Sequence, residues 1–172
     1  GPGLLFENIR DHKHTRCTKF LTGTLGNRRQ VCLLLGLPTD TPDKTIIQHL
    51  RACYRRGIPP VEVATGPVKT HKLSGADLDL GEFPVPLWHH LDGGRFIDTF
   101  CGVVTRNPKN GQMNVGIYRG QVIAPDKIGK LLIPTQHWGS HFAEHRETSS
   151  PMPVAVVHGW HDVLPFCAGS PF

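Results

Sequence analysis

Residues 96–123 read FIDTFCGVVTRNPKNGQMNVGIYRGQVI, and this stretch decides the fold. Residues 96–105 are rich in Phe, Val, Ile and Thr, as a half-buried strand is. The cluster Asn107-Pro108-Lys109-Asn110-Gly111 breaks that pattern with turn-forming residues, and residues 113–123 resume it. Two antiparallel strands joined by a hairpin are expected. Downstream, Lys130-Leu131-Leu132-Ile133 is a third apolar run stopped by Pro134. Residues 137–147 suit a short helix, and residues 153–157 a last strand. Upstream, residues 59–86 read as an extended linker punctuated by Gly66-Pro67, Gly75 and Pro84-Val85-Pro86. A helix is expected before it, with Thr41 as N-cap, Pro42 at the first helical position and Asp43 in the first turn. Its apolar face is Ile46, Ile47, Leu50, Cys53 and Tyr54, and Gly57 ends it. Val31-Cys32-Leu33-Leu34-Leu35 predicts a buried segment that reaches a turn at Gly36 and Pro38.

The 172 residues suffice for one ordinary domain or two small lobes. An apolar content of 38% can supply a core, while 19 Gly and 15 Pro exclude a helical bundle and favour strands, turns and loops. The fold class is α+β, with a lobe boundary near residue 82. No apolar run approaches the roughly 20 residues that span a bilayer, so a soluble protein without a membrane partner is expected. The net charge of +5 suits an anionic ligand, and no nucleic-acid partner is expected. Five scattered Cys without a CxxC spacing indicate free thiols, neither a disulfide framework nor a zinc knuckle. The first residues lack a charged stretch followed by an apolar run, Gly1-Pro2-Gly3 has the look of a protease-tag scar, and a cytoplasmic setting is expected.

Phosphate-loop, dinucleotide and nucleophile-elbow fingerprints are all missing. Two other constellations could carry chemistry. His137, His141 and His145 lie four apart, so a helix would project them from nearly one face. That spacing permits metal binding and is equally compatible with packing or exposed positions. Asn114 and Arg119 bracket Gly116 on a predicted strand. Five residues apart, they face opposite ways on an ideal strand, and a joint role needs a bulge or a strand end at Gly116 or Gly120. Arg119 is either a surface residue or a fixed cationic fork for a carboxylate or phosphate.

Several motifs in order resemble the UbiD-type decarboxylases, which use prenylated flavin mononucleotide. They are Phe83-Pro84-Val85-Pro86, Asp92-Gly93-Gly94-Arg95-Phe96, Thr105-Arg106-Asn107-Pro108, the run from Gly111 to Arg119, Gln136-His137 and Pro151-Met152-Pro153-Val154-Ala155. Ile58-Pro59-Pro60 and Gly66-Pro67-Val68-Lys69 extend the likeness over nearly the whole chain. The resemblance implies a small α/β lobe over residues 1–82 and part of a flavin-binding split β-barrel over 83–172. It implies a carboxy-lyase acting reversibly on aromatic or α,β-unsaturated acids, the cofactor accommodating the electrons left by carbon dioxide. It also implies a divalent metal, manganese or magnesium, with a potassium ion at the cofactor's phosphate. Carried over by motif, Asn114 and His137 are metal ligands and Arg119 orients the substrate carboxylate. Gly116, Ile117, Tyr118 and Gln136 border the flavin, Ile133 faces the substrate, and Ala168-Gly169-Ser170 approaches the phosphate and potassium.

Asn107 stands where the family commonly has Asp, and His161-Asp162 where it commonly has Asp-Pro. The family's chains are also much longer, and its metal-completing Glu and its proton-transfer Glu pair lie beyond the matched segment. Glu7, Glu62, Glu82, Glu144 and Glu147 fall outside those motifs. The expectation is therefore an incomplete catalytic unit, either a truncated product or one chain of a split enzyme whose second chain carries those Glu residues, and association into homo- or hetero-oligomers. The alternative is a non-catalytic module that binds flavin and metal or serves assembly.

Overall fold

The computed structural model describes residues 1–169. They divide into two compact units, the first formed by Gly1–Glu7 and Lys19–Asp79, the second by Asn8–Thr18 and the chain from Leu80 onward.

In the first unit, β1 (Leu4–Phe6) pairs antiparallel with β2 (Phe20–Thr22), and Phe6 lies opposite Phe20 with ring centroids 6.3 Å apart. The apolar run at 31–35 belongs to a helix, α1 (Arg28–Leu34). Asn27 starts it: its side chain accepts from the Gln30 amide, while the Gln30 side chain accepts from the Asn27 amide, both at 3.1 Å. Two helix-end donors are thereby satisfied reciprocally. Only Cys32 of α1 is buried. Gly36 follows at φ +67°, the left-handed turn that glycine accepts without strain.

α2 (Asp43–Arg55) starts one residue later than the capping pattern predicts, with Pro42 in the cap position. The Thr41 hydroxyl donates to the Pro38 carbonyl at 2.6 Å and so is not spent on the helix. On the expected apolar face, Ile46 is buried and Leu50 and Tyr54 half-buried, whereas Ile47 and Cys53 are exposed. The 59–86 stretch is largely exposed and carries three short 3₁₀ turns, Pro67–Lys69, Gly75–Asp77 and Leu80–Glu82.

In the second unit the hairpin forms, but its first strand begins only at Gly102 and not at Phe96 as the pattern suggests. β3 (Gly102–Arg106) pairs antiparallel with β4 (Met113–Gly116), and the turn between them closes with Gly111 at φ +74°. β7 (Val154–Val157) pairs antiparallel with the other edge of β3, giving the order β4-β3-β7. The 113–123 run is not one strand. It breaks at residues 117–119, and β5 (Gly120–Ala124) turns away to pair with β6 (Lys127–Lys130) in a separate sheet. Lys130 ends β6, and the rest of the apolar run, residues 131–133, lies outside any strand.

α3 (His137–Glu147) matches its expected span, and α4 (Leu164–Ala168) is short. Both helices pack against β3 and β4. The core is Cys101, Val103 and Trp138, with Tyr118, Leu132, Met152 and Val156 around it. Two glycines allow this packing. A Cβ at Gly139 would collide with the Ile133 backbone, and one at Gly102 with the Trp160 ring. No helix among the described residues is long and apolar enough to cross a membrane.

Candidate functional site

β4 places Asn114 half-buried across from Thr105 of β3, and α3 opens with His137. The two side chains meet: His137 Nδ1 lies 3.1 Å from Asn114 Oδ1. The other end of the amide is also engaged, Nδ2 donating to the Tyr118 hydroxyl at 3.4 Å. The Tyr118 ring stacks on Trp138 with centroids 4.4 Å apart and planes 8° from parallel. Trp138 in turn donates its indole N–H to the Gln136 side chain at 3.2 Å. Asn114, Tyr118, Gln136 and His137, four of the expected site residues, thus form one connected group around the start of α3.

An amide oxygen beside an imidazole nitrogen is a donor set for a hard divalent cation. Adjacent ligands of an octahedral ion with bonds of about 2.1 Å lie about 3.0 Å apart. The Asn114–His137 separation therefore fits a shared ion, with the remaining positions left to other donors. The three-histidine face does not assemble. His141 is buried against Thr105, 3.0 Å between Nδ1 and Oγ1, and His145 bonds Ser150 at 3.0 Å. Each side chain has its own partner, and no cluster of three His, Cys, Asp or Glu among the described residues is arranged to hold a metal. Burial, opposed by Glu144 and reinforced by His137 and His145, lowers the His141 pKa.

Gly116 ends β4 and Gly120 begins β5, so Arg119 stands in the connection between two sheets. Its exposed guanidinium lies over the Phe96 ring, 5.4 Å from the centroid. Among the described residues no carboxylate pairs with it. Ile117 and Ile133 are each rather more than one-third exposed, and the Ile133 carbonyl accepts from the Gln136 amide at 3.0 Å. Ala168 and Gly169 close α4, which packs against the strand carrying Asn114. Ser170 lies outside the described residues.

One polar cluster escaped the sequence reading. Asp98, fully buried, pairs with Lys130 through one carboxylate oxygen and accepts from His158 Nε2 at 2.6 Å through the other. Burial alone would raise the Asp98 pKa, but the His158 and Lys130 hydrogen bonds and charges outweigh it and hold the carboxyl below its usual range. Lys130 also donates to the Tyr118 carbonyl at 2.9 Å, tying the cluster to residues 117–119. A carboxylate inside the apolar run Phe96-Ile97-Asp98, and a lysine opening Leu131-Leu132, are the signals that could have flagged it.

A family model for UbiD, the 3-octaprenyl-4-hydroxybenzoate carboxy-lyase Rift-related domain, matches residues 60–172. The chain belongs to the UbiD family. A curated relative, the pyrrole-2-carboxylic acid decarboxylase of Pseudomonas aeruginosa, is 31% identical over 176 residues, covering 99% of this chain and 36% of its own length. Among solved structures, an evolved dimeric form of the UbiD-class enzyme HmfF from Pelotomaculum thermopropionicum, in complex with prFMN, superposes with a TM-score of 0.78. The identity is 28%, covering 92% of this chain and 35% of that one. The closed form of the Sedimentibacter hydroxybenzoicus vanillic acid decarboxylase gives a TM-score of 0.86 at 26% identity, covering 97% and 36%. The chain thus spans little more than one-third of the length of the proteins it resembles.

Proposed function

We propose that these residues form the metal-holding and carboxylate-orienting part of a prenylated-flavin decarboxylase for aromatic or α,β-unsaturated acids. The observation that carries the proposal is the Asn114–His137 pair, whose oxygen and nitrogen lie 3.1 Å apart on β4 and α3. The two relatives named for their substrates act on pyrrole-2-carboxylic and vanillic acids, both aromatic. The HmfF complex supports prenylated flavin mononucleotide as cofactor. In this reading the sheets of the second unit are part of a split barrel.

When bound, the cofactor supplies the electron sink for the pair left behind as carbon dioxide departs. The chain's own residues do the positioning. Asn114 and His137 hold manganese or magnesium, whose charge offsets that of the cofactor phosphate. Ala168, Gly169 and Ser170 approach that phosphate and a potassium ion. The backbone of Gly116, Ile117 and Tyr118, with Gln136, borders the flavin. Arg119 meets the substrate carboxylate with a planar cationic fork that stays charged at working pH. Ile117 and Ile133 supply apolar surface beside it, and such surroundings favour loss of a carboxylate's charge over its retention.

A proton donor must sit within hydrogen-bond reach of the reacting carbon. Three of the five Glu side chains are already engaged, Glu7 with Lys19, Glu82 with Arg16 and Glu147 with Lys109. Glu62 and Glu144 lie outside the family's motifs, and the reading assigns the acid to sequence outside these residues, in the same polypeptide or in a partner within a homo- or hetero-oligomer. The test is anaerobic carbon dioxide release from pyrrole-2-carboxylate and vanillate, with prenylated flavin, manganese and potassium, with and without a polypeptide carrying the rest of a UbiD chain. Turnover that needs that polypeptide and is lost in Arg119→Ala is expected. No turnover under either condition, or turnover indifferent to Arg119, contradicts the reading.

A further inference from the structure

The contact between Asn114 and His137 is one of two that join the same strand pair to the same helix. On β3, Thr105 lies directly opposite Asn114, so the two side chains leave one face of the strand pair side by side. On α3, His141 follows His137 by four residues and lies on the same face one turn further on. Thr105 Oγ1 meets His141 Nδ1 at 3.0 Å, beside the 3.1 Å approach of Asn114 to His137. We infer that Thr105 and His141 are positioning residues, a buried rung that sets the gap between the strand pair and α3 and with it the separation of the two ligands. The inference rests on the metal-holding reading above.

The spacings of strand pair and helix match. Opposite residues of an antiparallel pair have Cα atoms about 4.5–5.5 Å apart, and four residues of helix advance about 6 Å. One turn of α3 therefore spans the step from β3 to β4, and the two contacts stand as neighbouring rungs. Their surroundings differ. Thr105 is 2% and His141 5% exposed, whereas Asn114 is half-buried and His137 exposed. At the outer rung water can take over either partner's hydrogen bond, so that contact does not hold its own length. The inner rung is shut off from water, and opening it leaves a buried nitrogen or hydroxyl unsatisfied. Its length is confined to the few tenths of an ångström that a hydrogen bond allows, whichever partner donates. An apolar contact at the same place would hold the elements together without setting a distance so narrowly. That accounts for a polar pair buried beside Val103 and Trp138.

The test is Mn²⁺ binding by the full chain, read by electron paramagnetic resonance titration beside the urea unfolding midpoint of each variant. Thr105→Val removes the hydroxyl and keeps the branched shape. It is expected to weaken Mn²⁺ binding about tenfold, the lower end of the range for loss of a ligand's supporting partner. Thr105→Ser keeps the hydroxyl and is expected to stay within about twofold. Thr105→Val combined with His141→Leu replaces both polar partners, which restores stability without restoring the set distance. In that double variant the unfolding midpoint is expected to recover while the loss of affinity persists, a split that a merely structural contact would not give. Affinity that returns with stability, or a folded Thr105→Val that binds Mn²⁺ as the unsubstituted chain does, would overturn the rung. A metal-independent arm uses nuclear Overhauser contacts from the Asn114 side chain to the His137 ring. They are expected in the unsubstituted chain and in Thr105→Ser and are expected to be lost in the folded double variant, and their retention there refutes the inference. Absence of Mn²⁺ binding in the unsubstituted chain would instead overturn the metal-holding reading, and the Overhauser arm then decides the rung by itself.

Discussion

The two units bury different things. Around β1, β2, α1 and α2, the buried side chains are Cys32, Thr41 and Ile46, while Leu4, Leu5, Phe6 and Leu21 stand about half exposed. Around β3, β4 and α3, the buried set includes Asp98, Thr105, His141 and His145 beside Val103 and Trp138. Burying a polar side chain is unfavourable unless its hydrogen bonds are replaced, and in the second unit each of these four has a named partner. A lobe that only needs to fold can rely on patterning and caps. A region that must hold donor atoms at set distances fixes them through buried polar contacts, and that is where the family's motif residues lie.

The contrast is broken most directly at Asp98. Asp98→Ala leaves Lys130 largely buried beside a carbonyl without its counter-charge, and a loss of about 3–5 kcal/mol in urea unfolding is expected. A loss below about 1 kcal/mol would show that the cluster is no more critical than the hairpin of the first unit. Next comes an alkaline limb. Burial, aided by the charge of Asp98, pushes the Cys101 thiol up to about 11 from 9.0. A raised folded pKa favours the folded state below the unfolded value, and the advantage is lost as pH rises toward the folded one. Stability should therefore fall by about 2–3 kcal/mol between pH 9 and pH 11, and Cys101→Val should flatten that limb in the same unfolding assay.

Gly139→Ala forces a methyl group against the Ile133 backbone and should cost about 1–3 kcal/mol, measured as a lowered Tm. The smallest effect belongs to the first unit: Leu5→Ser on the exposed hairpin should stay within about 0.5 kcal/mol. A larger loss there would mean that the hairpin is covered in solution, and would sharpen the comparison by moving a second core into that lobe.

Much of this architecture is legible in the sequence where one local rule acts alone. The Asn107–Gly111 turn and the span of α3 follow from turn residues and from Pro134, and the UbiD motifs bring Asn114 and His137 together although 22 residues separate them in the chain. The misreadings arise where two rules compete. Residues 113–123 alternate like one strand, but the glycines at 116 and 120 let the chain leave one sheet and enter another, and only the available partners decide that. Thr41 has the chemistry of a cap, yet the Pro38 carbonyl claims its hydroxyl. His141 and His145 share a helix face, but Thr105 and Ser150 stand close enough to take each singly. The Asp98–Lys130–His158 cluster joins positions 32 and 28 residues apart, and no spacing rule connects them.

The central claim is that Asn114 and His137 act as one ligand pair. Its most direct test is native mass spectrometry of the chain under anaerobic conditions with prenylated flavin mononucleotide, manganese and potassium. The account predicts a mass increase for cofactor with metal that disappears in Asn114→Ala and equally in His137→Ala. Retention of the full increase in either variant, or no increase in the unsubstituted chain at any cofactor concentration, would contradict it.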